Sequence, residues 1–250
     1  MDFCVLGPLE VRDDEGAELA LAAGRQQALL VALLLNANEV VLTDRLVDEL
    51  WGERVPPTAV KAIHNHVSQL RRTLGDARLL THGHGYVLAV GPGELDLQRF
   101  EQLADEGTRA LEAGDAGAAA SILRGALALW RGPALGEFAY ESFAEGPALR
   151  LEELRLGALE KRIEADLALG RHAELIGELE ELVSAHPLRE RFRAQLMLAL
   201  YRSGRQAEAL EAYREETRIL DEELGLEPGD ELRELERAIL RQDEALGPAA

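Results

Sequence analysis

Apolar positions recur along the first ninety residues with two different periods. Phe3–Leu6 is a short apolar run, Gly7-Pro8 separates it from Leu9–Arg12, where Leu9 and Val11 alternate with Glu10 and Arg12, and Leu19 and Leu21 alternate with smaller or polar neighbours over Glu18–Ala22. Alternation bounded by Gly, Pro and the acidic turn Asp13–Gly16 predicts three short strands. From Gly24 to Asn36 the pattern becomes helical, and Ala28 to Leu35 is apolar almost all round, which predicts a central buried helix. Thr43 is placed to open a second helix as its N-cap, with Leu46, Val47 and Leu50 as its inner face and Trp51-Gly52 as its end. Over Pro56–Leu74 the residues Val60, Ile63, Val67, Leu70 and Leu74 fall within an arc of about 80°, a narrow stripe on a third helix that Gly75-Asp76 stops. Arg78–Thr81 and Tyr86–Val90 read as a hairpin around His82-Gly83-His84-Gly85.

Beyond Leu95 the strand signals vanish. Helical periods cover Leu95–Ala113, Ala116–Trp130, Leu149–Leu169 and then stretches near 172–185, 188–203, 206–224 and 229–246, before a short tail at 245–250. Residues 131–148, rich in Gly and Pro, read as an irregular connection. Leu169-Gly170-Arg171-His172-Ala173-Glu174-Leu175 matches Ser203-Gly204-Arg205-Gln206-Ala207-Glu208-Ala209 at an offset of 34, and Ala113-Gly114-Asp115 is a weaker copy. An offset of this size is the period of tetratricopeptide repeats. The pattern thus predicts two domains: residues 1–93, mixed α and β, and residues 94–250, an all-α, tetratricopeptide-like array whose surfaces suit protein partners. The fold class is mainly α.

Charge sharpens one feature. The chain carries a formal net charge of −19, which weighs against nucleic acid as a partner. Yet residues 1–93 hold 8 Lys+Arg and 12 Asp+Glu, so most of the acidity lies in the second domain. Opposite the apolar stripe of the third helix stand Lys61, Asn65, Ser68, Gln69 and Arg72, and the helix contains no carboxylate. A helix greasy on one side and free of acid on the other suits phosphates and base edges. Three strands, three helices and a hairpin in that order build a winged helix-turn-helix, in which the third helix enters the major groove and the wing meets the backbone or minor groove.

Other chemistries find little support. No G-x-x-x-x-G-K-[ST], G-x-S-x-G or H-E-x-x-H occurs, and Gly83-His84-Gly85 is too short for a dinucleotide fingerprint, so no enzyme is expected. His64, His66, His82 and His84 cluster, but His64 and His66 point roughly 200° apart on a helix and cannot share an ion, so neither metal nor cofactor is expected. The single Cys4 fits a small buried hydrophobe and forms no intrachain disulfide. Without a run of about 18 apolar residues or a leader pattern, the expected location is the cytoplasm, at the nucleoid. Trp51, Trp130 and Tyr86 read as packing anchors.

At this point the residues carry a resemblance. The stretches L-G-P-L-E-V-R at 6–12, D-R-L-V-D-E-L-W-G at 44–52, H-V-S-Q-L-R-R-T-L at 66–74 and G-Y-V-L at 85–88 resemble an OmpR-type winged helix. L-A-L-W-R-G at 127–132, E-L-R-L at 153–156, P-L-R-E at 187–190, L-A-L-Y-R-S-G-R-Q-A-E-A-L at 198–210 and E-L-G-L-E-P-G at 223–229 resemble a bacterial transcriptional activation domain. Together, from about residue 3 to about 245, the chain is similar to the Streptomyces antibiotic regulatory proteins. The resemblance implies a transcriptional activator that binds direct repeats in promoters, often of antibiotic biosynthesis clusters, as a dimer or tandem monomers, and that contacts RNA polymerase and its sigma factor. It places DNA contacts at Lys61, His64, Asn65, Ser68, Gln69, Arg71, Arg72 of the third helix and Arg78, Thr81, His82, His84 of the wing. It places a polymerase contact on the loop Trp51, Gly52, Glu53, Arg54, Val55, Pro56, Pro57, Thr58.

Two departures stand out. Gln69 and His82 occupy positions where many relatives carry Arg, which shifts the expected reading toward adenine and lowers the charge of the wing. No receiver domain precedes the winged helix, so phosphoryl switching through one is not expected, whereas larger relatives continue into an ATPase or other sensor. The competing reading is a protein-interaction scaffold, or the N-terminal regulatory part of such a larger regulator.

Overall fold

β1 (Asp2–Cys4) pairs antiparallel with β2 (Glu10–Arg12), with Phe3 opposite Val11. The computed structural model describes residues 1–247; positions 248–250, which end both the predicted domain 94–250 and the tail 245–250, lie outside the described residues. Among the described residues there are five short strands and ten α-helices. By packing they form two compact units, each drawn from two stretches: Met1–Ala104 with Gly125–Leu156, and Asp105–Arg124 with Gly157 onward.

In the first unit, β1 ends at Cys4 rather than at the expected Leu6. The reason is backbone accounting, since every buried N–H and C=O needs a partner. Val5 and Leu6 donate their N–H groups to the buried Asp96 carboxylate at 2.9–3.0 Å. Their carbonyls accept from Leu135 N–H (2.9 Å) and Arg131 N–H (2.8 Å). No ladder bond remains for them to make. The strand expected over Glu18–Ala22 does not form. A single bridge joins Arg12 to Glu18, and Leu19 N–H reaches Val11 C=O at 2.8 Å. The alternation of Leu19 and Leu21 is real in burial, but β2 is three residues long and offers no further partner.

α1 (Arg25–Leu34) is the central helix, with Ala28 through Leu34 all buried. β3 (Val41–Leu42) runs straight into α2 (Thr43–Trp51), a strand the hydrophobic pattern did not show because it is only two residues long. Leu42, not Thr43, is the N-cap of α2. Thr43 instead donates both its N–H (2.9 Å) and its hydroxyl (2.8 Å) to the carbonyl of His84. α3 (Ala59–Leu74) starts after Pro56-Pro57 and buries Ile63, Val67, Leu70 and Leu74. Val60, counted in the apolar stripe, lies 45% exposed. It sits at the edge of the arc.

β4 (Leu79–His82) and β5 (Gly85–Leu88) form the hairpin around Gly83-His84, and the sheet runs β3-β5-β4. Gly85 allows β3 and β5 to meet, because a Cβ there would drive into the carbonyl of Val41. Asn38, with φ 68°, pairs its side-chain amide both ways with the backbone of Val90 at 3.0 and 2.9 Å.

α4 (Asp96–Glu112) and α6 (Glu145–Ala168) each contribute their first turns to this unit. α5 (Ala116–Leu127) stops three residues before the expected Trp130, and the connection after it contains a 3-10 turn at Gly136–Tyr140. α6 begins at Glu145, earlier than the expected Leu149. Trp130 is buried edge-on to Phe100 at 5.3 Å, with Arg155 stacked on it at 5.0 Å. The two loop motifs of the sequence meet here. A Cβ on Gly7 would stand 3.0 Å from Arg131 Cβ, and one on Gly136 would stand 2.8 Å from Pro8 Cα.

In the second unit, α7 (His172–Ala185), α8 (Glu190–Arg202) and α9 (Gln206–Leu224) pack in series, and α10 (Asp230–Arg241) packs against both α8 and α9, ending before the expected 246. The repeat seen in sequence is a repeated turn. Gly114, Gly170 and Gly204 all have φ near +80°. At each, the glycine N–H bonds three residues back and the next N–H bonds five residues back. That is the Schellman geometry, which only glycine adopts without strain. The weaker copy at Gly114 therefore belongs to the same structural series. Inside the array, Arg193 pairs with Glu216 at 2.8 Å with both side chains buried, and Asp166 accepts from Arg124 and Arg171.

Gly136→Ala should lower unfolding free energy by about 1–3 kcal/mol, since the new methyl meets backbone and φ is +53°. Gly157→Ala, with nothing within 4 Å inside α6, should be neutral or stabilising by up to about 1 kcal/mol. Urea titration of both variants checks the pair.

Candidate nucleic-acid interface

Burial of Ile63, Val67, Leu70 and Leu74 fixes the rotation of α3 and turns Lys61, His64, Asn65, Ser68, Gln69 and Arg72 outward. These six positions are spaced by three and four residues, so they form one exposed strip. The helix has no acidic residue in its first turn and carries Arg71 and Arg72 in its last. Beside it stands the wing, whose Thr81, His82 and His84 are exposed. A cleft of about 340 Å³ opens between α2, the first half of α3 and the wing, lined among others by Asp44, Val60, His64, Thr81 and His84.

The predicted arginines divide into two kinds. Arg72 is exposed at the far end of the strip from Lys61. Arg71 is half-buried and reaches sideways, its Nε donating to Leu79 C=O and its Nη2 to Thr81 Oγ1, both at 2.7 Å. It ties α3 to β4. Thr43 ties α2 to the wing turn at His84. The wing is thus held from two helices, and its position relative to α3 is set by hydrogen bonds as well as by the core.

Arg78 forms a two-pronged pair with Glu94, at 2.5 and 2.7 Å. Glu94 also accepts from Gly91 N–H at 2.6 Å. The Arg78 guanidinium, helped by that N–H, holds the Glu94 carboxyl down at about 2. Arg78 therefore sits at the base of the wing with its charge compensated, apart from the exposed strip.

The loop between α2 and α3 is exposed from Gly52 to Val55 and at Pro57 and Thr58, while Trp51 and Pro56 are half-buried. Trp51 carries Arg25 stacked on its ring at 4.7 Å, and Arg25 also donates to Leu50 C=O. Among the described residues, no group of three or more His, Cys, Asp or Glu side chains is placed to hold a metal ion. Cys4 is buried, and burial pushes its thiol up to about 11.

Sequence reasoning missed Glu94, Asp96 and Asn38. An acidic residue ahead of a helical period marks a helix start, which gives Asp96 its place at the opening of α4. Nothing local says that its carboxylate reaches back some ninety residues to Val5 and Leu6. No helix is long and apolar enough to cross a membrane among the described residues.

The depressed Glu94 carboxyl contributes stability that is complete above its unfolded value near 4.5 and is lost as pH falls toward 2. Glu94→Gln should therefore be less stable at neutral pH, by about 1–2 kcal/mol. The gap to the wild type should narrow on acidification through that window. Thermal melts from pH 7 to pH 2 measure it.

Comparison with known proteins places these features. Residues 95–240 match the model of the bacterial transcriptional activator domain, and residues 16–88 match that of the C-terminal domain of transcriptional regulatory proteins. The chain is 45% identical over 249 residues to the regulatory protein AfsR of Streptomyces griseus, covering 99% of this chain and 25% of that protein. It thus spans about a quarter of the length of that relative. It is 41% identical to the regulatory protein DnrI of Streptomyces peucetius, covering 97% of this chain and 93% of that one. Among solved structures, Mycobacterium tuberculosis EmbR in complex with a low-affinity phosphopeptide superposes with a TM-score of 0.94 at 38% identity, over 100% of this chain and 66% of that one. With both domain models in order and such similarity to DnrI over nearly its whole length, the chain belongs to the Streptomyces antibiotic regulatory protein family of transcriptional regulators.

Proposed function

We propose that the chain is a sequence-specific, DNA-binding transcriptional activator of promoters that carry direct repeats, acting in the cytoplasm on nucleoid DNA. Residues 1–93 are the DNA-binding domain and residues 94–250 the activation domain in this reading. The observation that carries it is the exposed, carboxylate-free strip of α3, flanked by the wing, in a chain of net charge −19. Lys61 and Arg72, with the smaller polar side chains, meet phosphates; Asn65 and Gln69 read base edges, with adenine the natural partner of both. His64, Ser68, Thr81, His82 and His84 line the rest of the approach. Arg71 and Arg78 support the wing from within. The exposed loop 51–58 is the contact for RNA polymerase and its sigma factor, and the regulated genes belong to a biosynthetic cluster, in keeping with the family's name.

A scaffold reading draws on one specific observation: two of the predicted DNA arginines are engaged within the protein. Gel mobility shifts on promoter fragments separate the two. For an activator, Lys61→Ala with Arg72→Ala weakens binding on every sequence and reduces the slope of log affinity against log salt by about 2. Asn65→Ala and Gln69→Ala each cost about 1–3 kcal/mol on the preferred site alone. Arg78→Ala costs less affinity than Arg72→Ala. Failure to retard any fragment at low salt favours the scaffold.

A further inference from the structure

The second unit contains a trough that neither the proposed DNA contacts nor the proposed polymerase loop uses. Its floor is one face of α8, where Arg191, Ala194, Gln195, Leu198 and Arg202 follow one another at helical spacing along a cleft of about 390 Å³. Leu167 and Ala168 at the end of α6 form one wall, and Leu235 of α10 forms the other. From Arg191 to Arg202 the floor is about 16 Å long. Between these ends its surface is mainly aliphatic.

The two ends differ in charge. At one, Arg191 lies between Glu164, at 2.9 Å, and Glu231, and is more than compensated. At the other, Arg202 donates its Nε to Leu246 C=O (2.9 Å) and its Nη1 to Leu167 C=O (3.1 Å). Those bonds use two of the five N–H groups of a guanidinium. Among the described residues, Arg202 has no carboxylate partner within 4.0 Å. Burial pushes the Arg202 guanidinium below its usual value. Burial, then the charge of Arg202, also holds His172 down. A half-buried cation without a counter-ion is an incomplete arrangement that an anionic ligand relieves.

We propose that this trough binds an amphiphilic carboxylic acid. The carboxylate takes the remaining Nη hydrogens of Arg202 side by side, the geometry in which guanidinium and carboxylate bind best. The apolar body lies over Leu198, Leu235 and Ala194 and ends before the Glu164–Arg191–Glu231 bridge. The distance from Arg202 to Ala194 is about 12 Å, which fits a chain of about eight to ten carbons. A polyanion such as a nucleotide or an acidic peptide would bring several charges to one cation and run into two glutamates. A cationic amphiphile laid in the same direction would place its head against Arg202.

Calorimetric titration of the full chain with decanoate, below its micelle concentration, tests the site. Saturable binding at one decanoate per chain is expected, with decylammonium not binding and decanol at least about tenfold weaker, the loss of one charge-assisted pair. Arg202→Gln should weaken decanoate by at least about tenfold. Ala168→Trp, at an exposed wall position, should block the trough by bulk without disturbing the core. Circular dichroism establishes that each variant is folded, and if Arg202→Gln is not, Ala168→Trp and the decanol comparison decide. No saturation by decanoate, equal binding of decylammonium, or wild-type affinity in Ala168→Trp overturns the proposal.

Discussion

The backbone of Val5 and Leu6 has no room for error. Its two N–H groups end on one carboxylate, that of Asp96, and its two carbonyls end on the amides of Leu135 and Arg131. All three partners come from sequence that follows the winged helix. Asp96 is 1% exposed, and burial pushes its carboxyl above the usual range against the pull of the Val5 and Leu6 N–H groups. A buried carboxylate is tolerated only when hydrogen-bonded and paired, and Arg131 at 3.7 Å completes the set. Gly7-Pro8 and Arg131–Gly136 then touch backbone to backbone, a closeness that side chains at Gly7 or Gly136 would prevent. The winged helix and the segment 125–156 therefore share one compact unit, although the family models assign them to different domains.

The same economy of hydrogen bonds shapes the wing. Short strands need outside help, and β3, β4 and β5 are two to four residues long. Arg71, Thr43, Asn38 and the Arg78–Glu94 pair supply it from α3, α2 and the flanking loops. Charged side chains that a motif comparison would assign to DNA are in this way engaged in holding the hairpin beside α3. On the proposed function, the exposed strip is left to a few cations and several amides and imidazoles, which lowers its dependence on phosphate neutralisation and raises its dependence on base-edge hydrogen bonds.

The helical array shows a second kind of order, in which one turn is used three times. Gly114, Gly170 and Gly204 close their helices with the same pair of backbone bonds, so the local geometry of each turn is common while the side chains around it differ. Between the helices, charge is internal: Arg193 with Glu216, and Asp166 with Arg124 and Arg171. Such pairs contribute less to stability than their number suggests, but they dictate which helix faces can meet. Arg202 stands outside this pattern of compensation, and the trough gives that exception a physical meaning.

Much of the fold was legible before any coordinates. Helical and alternating periods placed α1, α3 and the hairpin, and the glycine offset of 34 exposed the repeated turn, because these features are written by neighbours in sequence. The strip of α3 was legible for the same reason, since the buried stripe on one side dictates the exposed positions on the other. Tertiary structure decided what neighbours cannot. It withheld a strand from Glu18–Ala22 for want of a partner, added β3 at Val41–Leu42, left Val60 in the open and gave the Thr43 hydroxyl to the wing. It also turned Arg71 and Arg78 inward and joined Asp96 to Val5 and Leu6. These outcomes turn on partners outside the element concerned, from eight to some ninety residues away for the hydrogen bonds of Arg71 and Asp96, and a hydrogen bond or a charge pair is specified by distance in space, which only the folded chain sets.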